Sequence, residues 1–531
     1  MSTLALPMPA QPVVIERPLV NPWLIALTVS LVTFMEILDG TIVNVALRHI
    51  AGDLSAGVDE STWVLTSYLV SNAIVLPLAG WFYMLMGRKQ FYLLGSAIFT
   101  VSSLLCGLAP SLTILIAMRI VQGLGGGGLQ PSSQAILVDT FPQEKRNMAL
   151  AFYGMTVVCA PALGPTLGGW ITDNFSWRWI FFINVPVGLI AMFMTWRLVE
   201  DPAHMVRKKL GEMKIDGWGL GLLALGLGFL QIVLDKGQNE GWFQSPFIIW
   251  MSFISVVALI LFFVVEYFHE SPVVDLSLFR NTSFLFSNLA MFTLGFVLYG
   301  SSVLMPLFTQ QLMGYTATLA GLVLSPGAIL VMFLMPLVGR LLQKYQPKHL
   351  AMIGMSVNAL ALFSMAHLTL QTDMGSFVHL RMLQGIGLAL LFVPINSMAF
   401  AHTPSDKVNS ATGLVNLSRN LGASFGISLM TAFIANRSQV HQTHLVSHLS
   451  PSDPAYIDWL ARAQQLLIGK GFSVADATEK ASGMLGSLLN QQSSLLAFSE
   501  AFWSIGALCL LAIAVLALTK KVTGPRSTSA H

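Results

Sequence analysis

Charge is what this sequence most lacks. Only 10% of its 531 residues are Asp, Glu, Lys or Arg, against about 25% in a soluble domain. So few charges cannot solvate the surface of so long a chain, which excludes a string of soluble domains. The net charge, 28 − 25 = +3, provides no basic field for nucleic acid. Cysteine is scarce as well. Cys106, Cys159 and Cys509 all sit inside apolar runs, so neither a disulfide framework nor a metal site is implied. Catalytic spacings are missing too. The chain has no H-E-x-x-H and no P-loop lysine, and its one G-x-S-x-G match, Gly422-Ala-Ser-Phe-Gly426, lies inside an apolar run with no strand before it, so no enzyme, metal or cofactor site is expected. Four prolines break up the first twenty residues and leave no long apolar core among them, so no cleavable signal is expected there.

What is present is apolar sequence: 54% of the residues are hydrophobic. It falls into runs long enough to cross a bilayer as helices. Spans are expected near 22–47, 62–83, 91–109, 111–136, 148–170, 179–197, 217–234, 246–265, 284–311, 317–342, 349–370, 376–402, 409–434 and 497–519. An even number puts both termini on one side. With the termini inside, eighteen Lys and Arg fall in cytoplasmic links and tails and seven in outer ones, so the positive-inside rule places both termini in the cytoplasm.

The chain also repeats itself. MRIVQGLG at 118–125 returns as LRMLQGIG at 380–387, about 262 residues later. A proline follows each copy (Pro131, Pro394), and GWFYMLMGRK at 80–89 lines up with GRLLQKYQPK at 339–348. The first six spans fill fewer residues than that period, so two extra spans lie between the repeats. The expected plan is an all-α integral membrane protein of fourteen spans, 6 + 2 + 6. It comprises a cytoplasmic tail (1–21), an N-terminal six-helix repeat (22–200) and a linker with an inserted hairpin (201–270). Five helices of the second repeat (271–434), a long outer loop (435–496), a last span (497–519) and a cytoplasmic tail (520–531) follow. Repeated bundles around a midplane cavity are a transporter design.

The run Gly123-Leu-Gly-Gly-Gly-Gly128 fits G-x-G-x-x-G, the dinucleotide-loop spacing. It lies inside span four with no strand before it, so the glycines, Gly123 and Gly125 among them, read as a helix-packing face. Arg119 in the same span is harder to dismiss. A mid-span charge costs about 2.5–3.5 kcal/mol on insertion scales and faces a cavity or a partner. Counted from the outer face, Asp39 in span one lies at the same depth as Arg119, roughly 12 Å down. Glu36 lies one turn deeper on the same face. Two readings stand: a structural ion pair that joins two helices, or a protonation site. We favour the second, with Glu36 and Asp39 carrying the coupling proton and Arg119 tuning them, because desolvation and a neighbouring cation pull a carboxyl in opposite directions. Arg381 matches Arg119 in the second repeat without an obvious acid, and reads first as a structural anchor. Asn44, Gln122, Tyr299, Asn396 and Arg381 are the polar residues expected at a central cavity. Arg419, with Asn416 and Asn420, lies near the cytoplasmic end of span thirteen and is given no role. In span five, Pro161, Gly164, Pro165, Gly168 and Gly169 suggest a flexing gate helix, although an ordinary kinked span would also account for them. In the outer loop, 457–469 and 475–489 alternate at helical spacing, so two short amphipathic helices are expected there, either as a self-packed lid or as a docking surface.

Together these residues resemble the major facilitator superfamily, and within it the fourteen-span drug:proton antiporters. Leu38-Asp-Gly-Thr-Ile-Val-Asn-Val-Ala-Leu47 is similar to the first-span motif, and Arg119-Ile-Val-Gln-Gly123 to the span-four motif linked with proton transfer. The segment 160–169 is similar to the span-five motif of exporters. WRWIFFINVPVG at 177–188 and GYTATLAGL at 314–322 resemble the EmrB-like multidrug efflux subgroup. Gly80, Gly87, Arg88 and Lys89 match the family's loop motif, but Met84 stands where its aspartate is usual, which puts that motif's charge lock in question. The resemblance implies proton-driven export of hydrophobic compounds, weakly acidic ones included, across a bacterial inner membrane. It also implies a periplasmic adaptor and an outer-membrane channel as partners. A dedicated exporter of one metabolite or fatty acid remains an alternative, as does, from another class, a membrane-embedded lipid-modifying enzyme.

Overall fold

A computed structural model describes residues 21–201, 216–269, 274–401, 403–404, 407–450 and 452–520. Most of both expected tails, and the 202–215 stretch with Arg207, Lys208, Lys209 and Lys214, lie outside these residues, as do Arg17, Lys521 and Arg526. Every regular element among the described residues is helical.

The N-terminal half runs α1 (Pro22–Asp53), α2 (Trp63–Met86), α3 (Arg88–Gly107), α4 (Leu112–Thr140), α5 (Gln143–Asn174) and α6 (Trp179–Leu198). A hairpin follows, α7 (Gly217–Lys236) and α8 (Pro246–Phe268). The C-terminal half contains α9 (Thr282–Gln311), α10 (Ala317–Leu341), α11 (Pro347–Met365), α12 (Met374–Phe400) and α13 (Val408–Ser447), then α14 (Pro454–Gly469) and α15 (Val474–Ala517). Twelve helices among the described residues are long and apolar enough to cross a membrane. Spans were also expected at α11 and α13, and these two are long but less apolar. The reason in α13 is that its polar residues face inward: Thr412, Asn416 and Arg419 are buried, and they lower the hydropathy without meeting lipid.

The repeat read from the sequence has a structural counterpart. Ser111 caps α4 by accepting from Ile114 N, and Asp373, 262 residues on, caps α12 by accepting from Ser376 N. Gly125 brings α4 against α3, where an added Cβ would lie 2.8 Å from Phe99 N. Its repeat mate Gly387 brings α12 against α11, where an added Cβ would lie 2.9 Å from Asn358 N. Helices in lipid gain little from hydrophobic driving force, and close backbone approach at small residues is what packs them. The glycine run closes α4 against α2 in the same way: a Cβ at Gly127 would lie 2.6 Å from Asn72 O.

The hairpin joins the two halves through one of its helices. α7 packs on α2 through Thr66 and Asp235, which are hydrogen-bonded, and on α13 through Ser424, whose Oγ donates to Gln231 Oε1 at 3.0 Å. α8 is outermost, with Trp250, Phe253 and Ile260 exposed in the manner of lipid-facing residues. The 435–496 stretch departs from the expected pair of short helices. One is present as α14. The other is the leading part of the 44-residue α15, continuous with the last span, because no glycine or proline strong enough to stop the helix separates the two. α13 likewise runs on to Ser447. Ala463 on α14 and Ala477 and Ala481 on α15 are buried, Gln464 Nε2 on α14 donates to Thr478 Oγ1 on α15 at 2.9 Å, and Ser438 on α13 meets Ser494 on α15, so the three helices form one bundle.

The tightest joint lies between α9 and α13. A Cβ on Gly422 would run into the Phe292 carbonyl, and one on Gly426 would lie 2.6 Å from Phe296 O. Gly422→Ala is expected to lower the melting temperature of the detergent-purified protein by several degrees, overpacking of this kind costing about 1–3 kcal/mol. Gly486→Ala, with open space around it, should not. Equal melting temperatures for the two variants would contradict this account of the joint.

Candidate functional site

Asp39 and Glu36 stand three residues apart on α1, and both are buried. Their surroundings differ sharply. Asp39 is fully engaged: Arg119 Nη1 donates to Oδ2 at 2.5 Å, while Asn184 Nδ2 and Gln122 Nε2 donate to Oδ1 at 2.7 and 3.1 Å. Arg119 is held in turn. Its Nε donates to Val64 O at 3.0 Å, Nη1 also donates to Gln122 Oε1 at 2.9 Å, and its guanidinium lies 4.1 Å from the Tyr68 ring centroid. Charge-assisted bonds of this kind are the strong ones, and removing one member of such a buried pair typically costs about 3–5 kcal/mol. Both oxygens of Asp39 are therefore tied into this network.

Glu36 has no such lock. Asn72 Nδ2 and the Tyr68 hydroxyl donate to Oε1 at 3.0 and 3.2 Å, and Gln130 Nε2 donates to Oε2 at 2.5 Å. These three partners are neutral. The cation stands one residue further off, where Arg419 Nη2 donates to Gln130 Oε1. Glu36 and Gln130 belong to the N-terminal half and Arg419 to the C-terminal half, so Gln130 is a bridge. A second bridge lies one turn along α4: Asn416 Nδ2 donates to Gln134 Oε1 at 2.7 Å, and Gln134 Nε2 to Asn396 Oδ1 at 3.4 Å. Glu36 thus touches the polar seam between the halves.

The convergence read from depth is met in part. Asp39 and Arg119 bond directly, and Gln122 joins them, while Glu36 faces α2 and the seam. Of the cavity candidates, Asn396 lies in the seam, Arg381 and Tyr299 belong to the C-terminal half, and Asn44 is exposed. Tyr68, Asn72, Gln130 and Asn184 were not singled out from sequence, although neutral polar side chains at the depth of a mid-span charge are a usable signal, and Arg419 was named there without a role. In α5, Pro161 and Pro165 sit inside one continuous helix. Gly164 and Gly168 face α1, where a Cβ on Gly168 would lie 2.8 Å from Ile42 O, and Gly169 O accepts from the Thr172 hydroxyl. At the loop motif Gly87 takes φ 81°, Gly80 packs on Ser410 and Lys89 N donates to Asp201. Arg88 pairs with Asp139 at 2.5 Å, so a charge lock exists there without the aspartate that Met84 replaces. His441 lies 3.2 Å from Glu500, which also binds Arg437.

Known proteins share this architecture. The family model "Major Facilitator Superfamily" matches residues 29–427. The multidrug export protein EmrB of Haemophilus influenzae is 39% identical, over 92% of this chain and 94% of its own length. The fatty acid resistance protein FarB of Neisseria gonorrhoeae is 35% identical, over 93% and 96%. Among solved structures, the proton:xylose symporter XylE superposes with a TM-score of 0.59 at 13% identity, covering 94% of this chain and 96% of that one, a likeness of fold alone. Matched along most of its length by both measures, this chain is an integral membrane protein that belongs to the major facilitator superfamily.

Proposed function

We propose that the protein is a proton-coupled antiporter that exports hydrophobic compounds from the cytoplasm across a bacterial inner membrane. Export is what the names of its multidrug-export relatives carry; coupling rests on the unequal partnering of Glu36 and Asp39. The proposed topology is fourteen spans, 6 + 2 + 6, with both termini cytoplasmic. Positive-inside counting and the repeat support it, and α7 and α8 form the inserted pair.

In the mechanism Asp39 stays ionised and fixes Arg119, while Glu36 carries the coupling proton. With Glu36 ionised, Gln130 donates to it and accepts from Arg419. A protonated Glu36 gains an O–H donor, which on Oε2 points at Gln130. For Gln130 to accept, its amide turns over and presents its NH2 to Arg419, donor against donor. Proton uptake therefore loosens the tie between α4 and α13, and proton release restores it. The halves then pivot about α5, whose prolines each remove one helical hydrogen bond and whose glycines let it slide on α1. Arg119 tunes the site from the Asp39 side. The bundle of α13, α14 and α15 projects on the side assigned to the outside and exposes Ile457, Leu466, Val474 and Met484. We assign it the docking surface for a periplasmic adaptor, which would lead substrate on to an outer-membrane channel.

Two predictions test this reading. In inverted vesicles, Glu36→Gln should lose substrate export driven by a pH gradient by at least tenfold while keeping substrate counterflow, which needs no proton. Asp39→Asn should instead lower thermal stability, because it leaves Arg119 buried without its anion. Driven export at the wild-type rate in Glu36→Gln would remove the assignment. The second prediction concerns docking. Ser438 Oγ and Ser494 Oγ lie 3.1 Å apart, so a short Gly/Ser linker can replace 440–490 without parting the helices. Vesicle transport should persist and whole-cell resistance should fail. Loss of both would make the bundle part of the pump's own gate.

A further inference from the structure

Adding 262 to Asp39, Arg119 and Gln122 gives Ser301, Arg381 and Gln384. The structure draws the same figure in both halves. Arg119 Nη1 donates to Gln122 Oε1 and to Asp39, and Gln122 Nε2 donates back to Asp39. Arg381 Nη1 donates to Gln384 Oε1 at 2.5 Å and to Ser301 Oγ at 3.2 Å, and Gln384 Nε2 donates back to Ser301 Oγ at 2.8 Å. Ser302 Oγ takes a further bond from Arg381 Nη2 at 2.7 Å. One atom group differs between the two figures: a hydroxyl stands where the N-terminal half has a carboxylate.

The consequence is electrostatic. Arg381 is 4% exposed, and no acidic side chain pairs with it among the described residues. A guanidinium stays charged in proteins, and a buried charge in a membrane domain calls for a partner of opposite sign. Two serine hydroxyls can turn to donate towards an incoming anion, and the guanidinium fork suits a carboxylate. Arg381 is thus a cation whose built-in counter-charge is missing, held by two hydroxyl oxygens and an amide oxygen.

We propose that Arg381, Ser301, Ser302 and Gln384 form an anion site that takes the carboxylate of an amphiphilic export substrate. The substrate's charge then occupies the place that Asp39 fills in the other half, and its apolar body lies against the surrounding apolar helix faces. The proposal rests on the export reading and adds to it the substrate class and the residues that select it. It also makes Ser301 the residue that sets specificity, since an acid there would close the site from within.

The test compares decanoate with decanol, equal chains with and without the charge, and includes a neutral apolar dye. Binding to full-length protein in nanodiscs should favour decanoate over decanol by at least tenfold. Ser301→Asp should abolish that preference and lower the ratio of decanoate to dye export in vesicles about tenfold. Arg381→Gln, which removes the cation itself, should also abolish the preference, so a poorly folded aspartate variant would not decide the matter alone. Equal wild-type affinity for decanoate and decanol, a preference retained in Arg381→Gln, or an unaltered export ratio in Ser301→Asp would overturn the anion site. Wild-type vesicles that export neither compound would instead overturn the export reading on which it rests.

Discussion

A charge held inside the bilayer must be compensated there, and the interior of this protein is arranged around that requirement. Asp39 and Arg119 satisfy it directly, at 2.5 Å with neither side chain exposed. Glu36 satisfies it at one remove, through Gln130 to Arg419. Arg381 satisfies it only with hydroxyls and an amide. These three degrees of compensation correspond to the three roles we propose: a fixed pair, a group that exchanges a proton, and a cation open to an outside anion. The N-terminal half carries the first and the C-terminal half the third. The second lies at the join, where a change in one half can be felt in the other.

Close packing makes such precise compensation possible. Tyr68 can lie over Arg119 and also donate to Glu36 because Gly123 brings α4 against α2; a Cβ there would lie 2.8 Å from Ser71 Cβ. Gly168 sets α5 against α1 in the same manner. Small residues therefore act on the chemistry indirectly, by fixing how far apart the polar groups stand.

Much of this was legible in the sequence. Depth counting paired Asp39 with Arg119 because the rise per residue is fixed and a mid-span charge is rare. The 262-residue repeat extended from the motif to caps, glycines and side-chain bonding. Rotation about each helix axis was not legible. Depth alone cannot say that Glu36 faces Gln130 while Asp39 faces Arg119, one turn away. Asn72, Gln130 and Asn184 carry no charge, so nothing in their cost of insertion marked them. α13 fell short on apolarity because its polar face is buried inward, a property of the assembled bundle. The continuity of α15 with its outer extension was missed for a similar reason: amphipathic spacing marks a helix but not where it joins the next.

The central claim is that Glu36 exchanges the proton while Asp39 remains ionised. Infrared difference spectroscopy on the purified protein, between alkaline and acid pH, reads this directly through the carbonyl stretch of a protonated carboxylic acid buried from water. The account predicts one buried-carboxyl band that appears on acidification, disappears in Glu36→Gln and survives in Glu500→Gln. A band that persists unchanged in Glu36→Gln would contradict it.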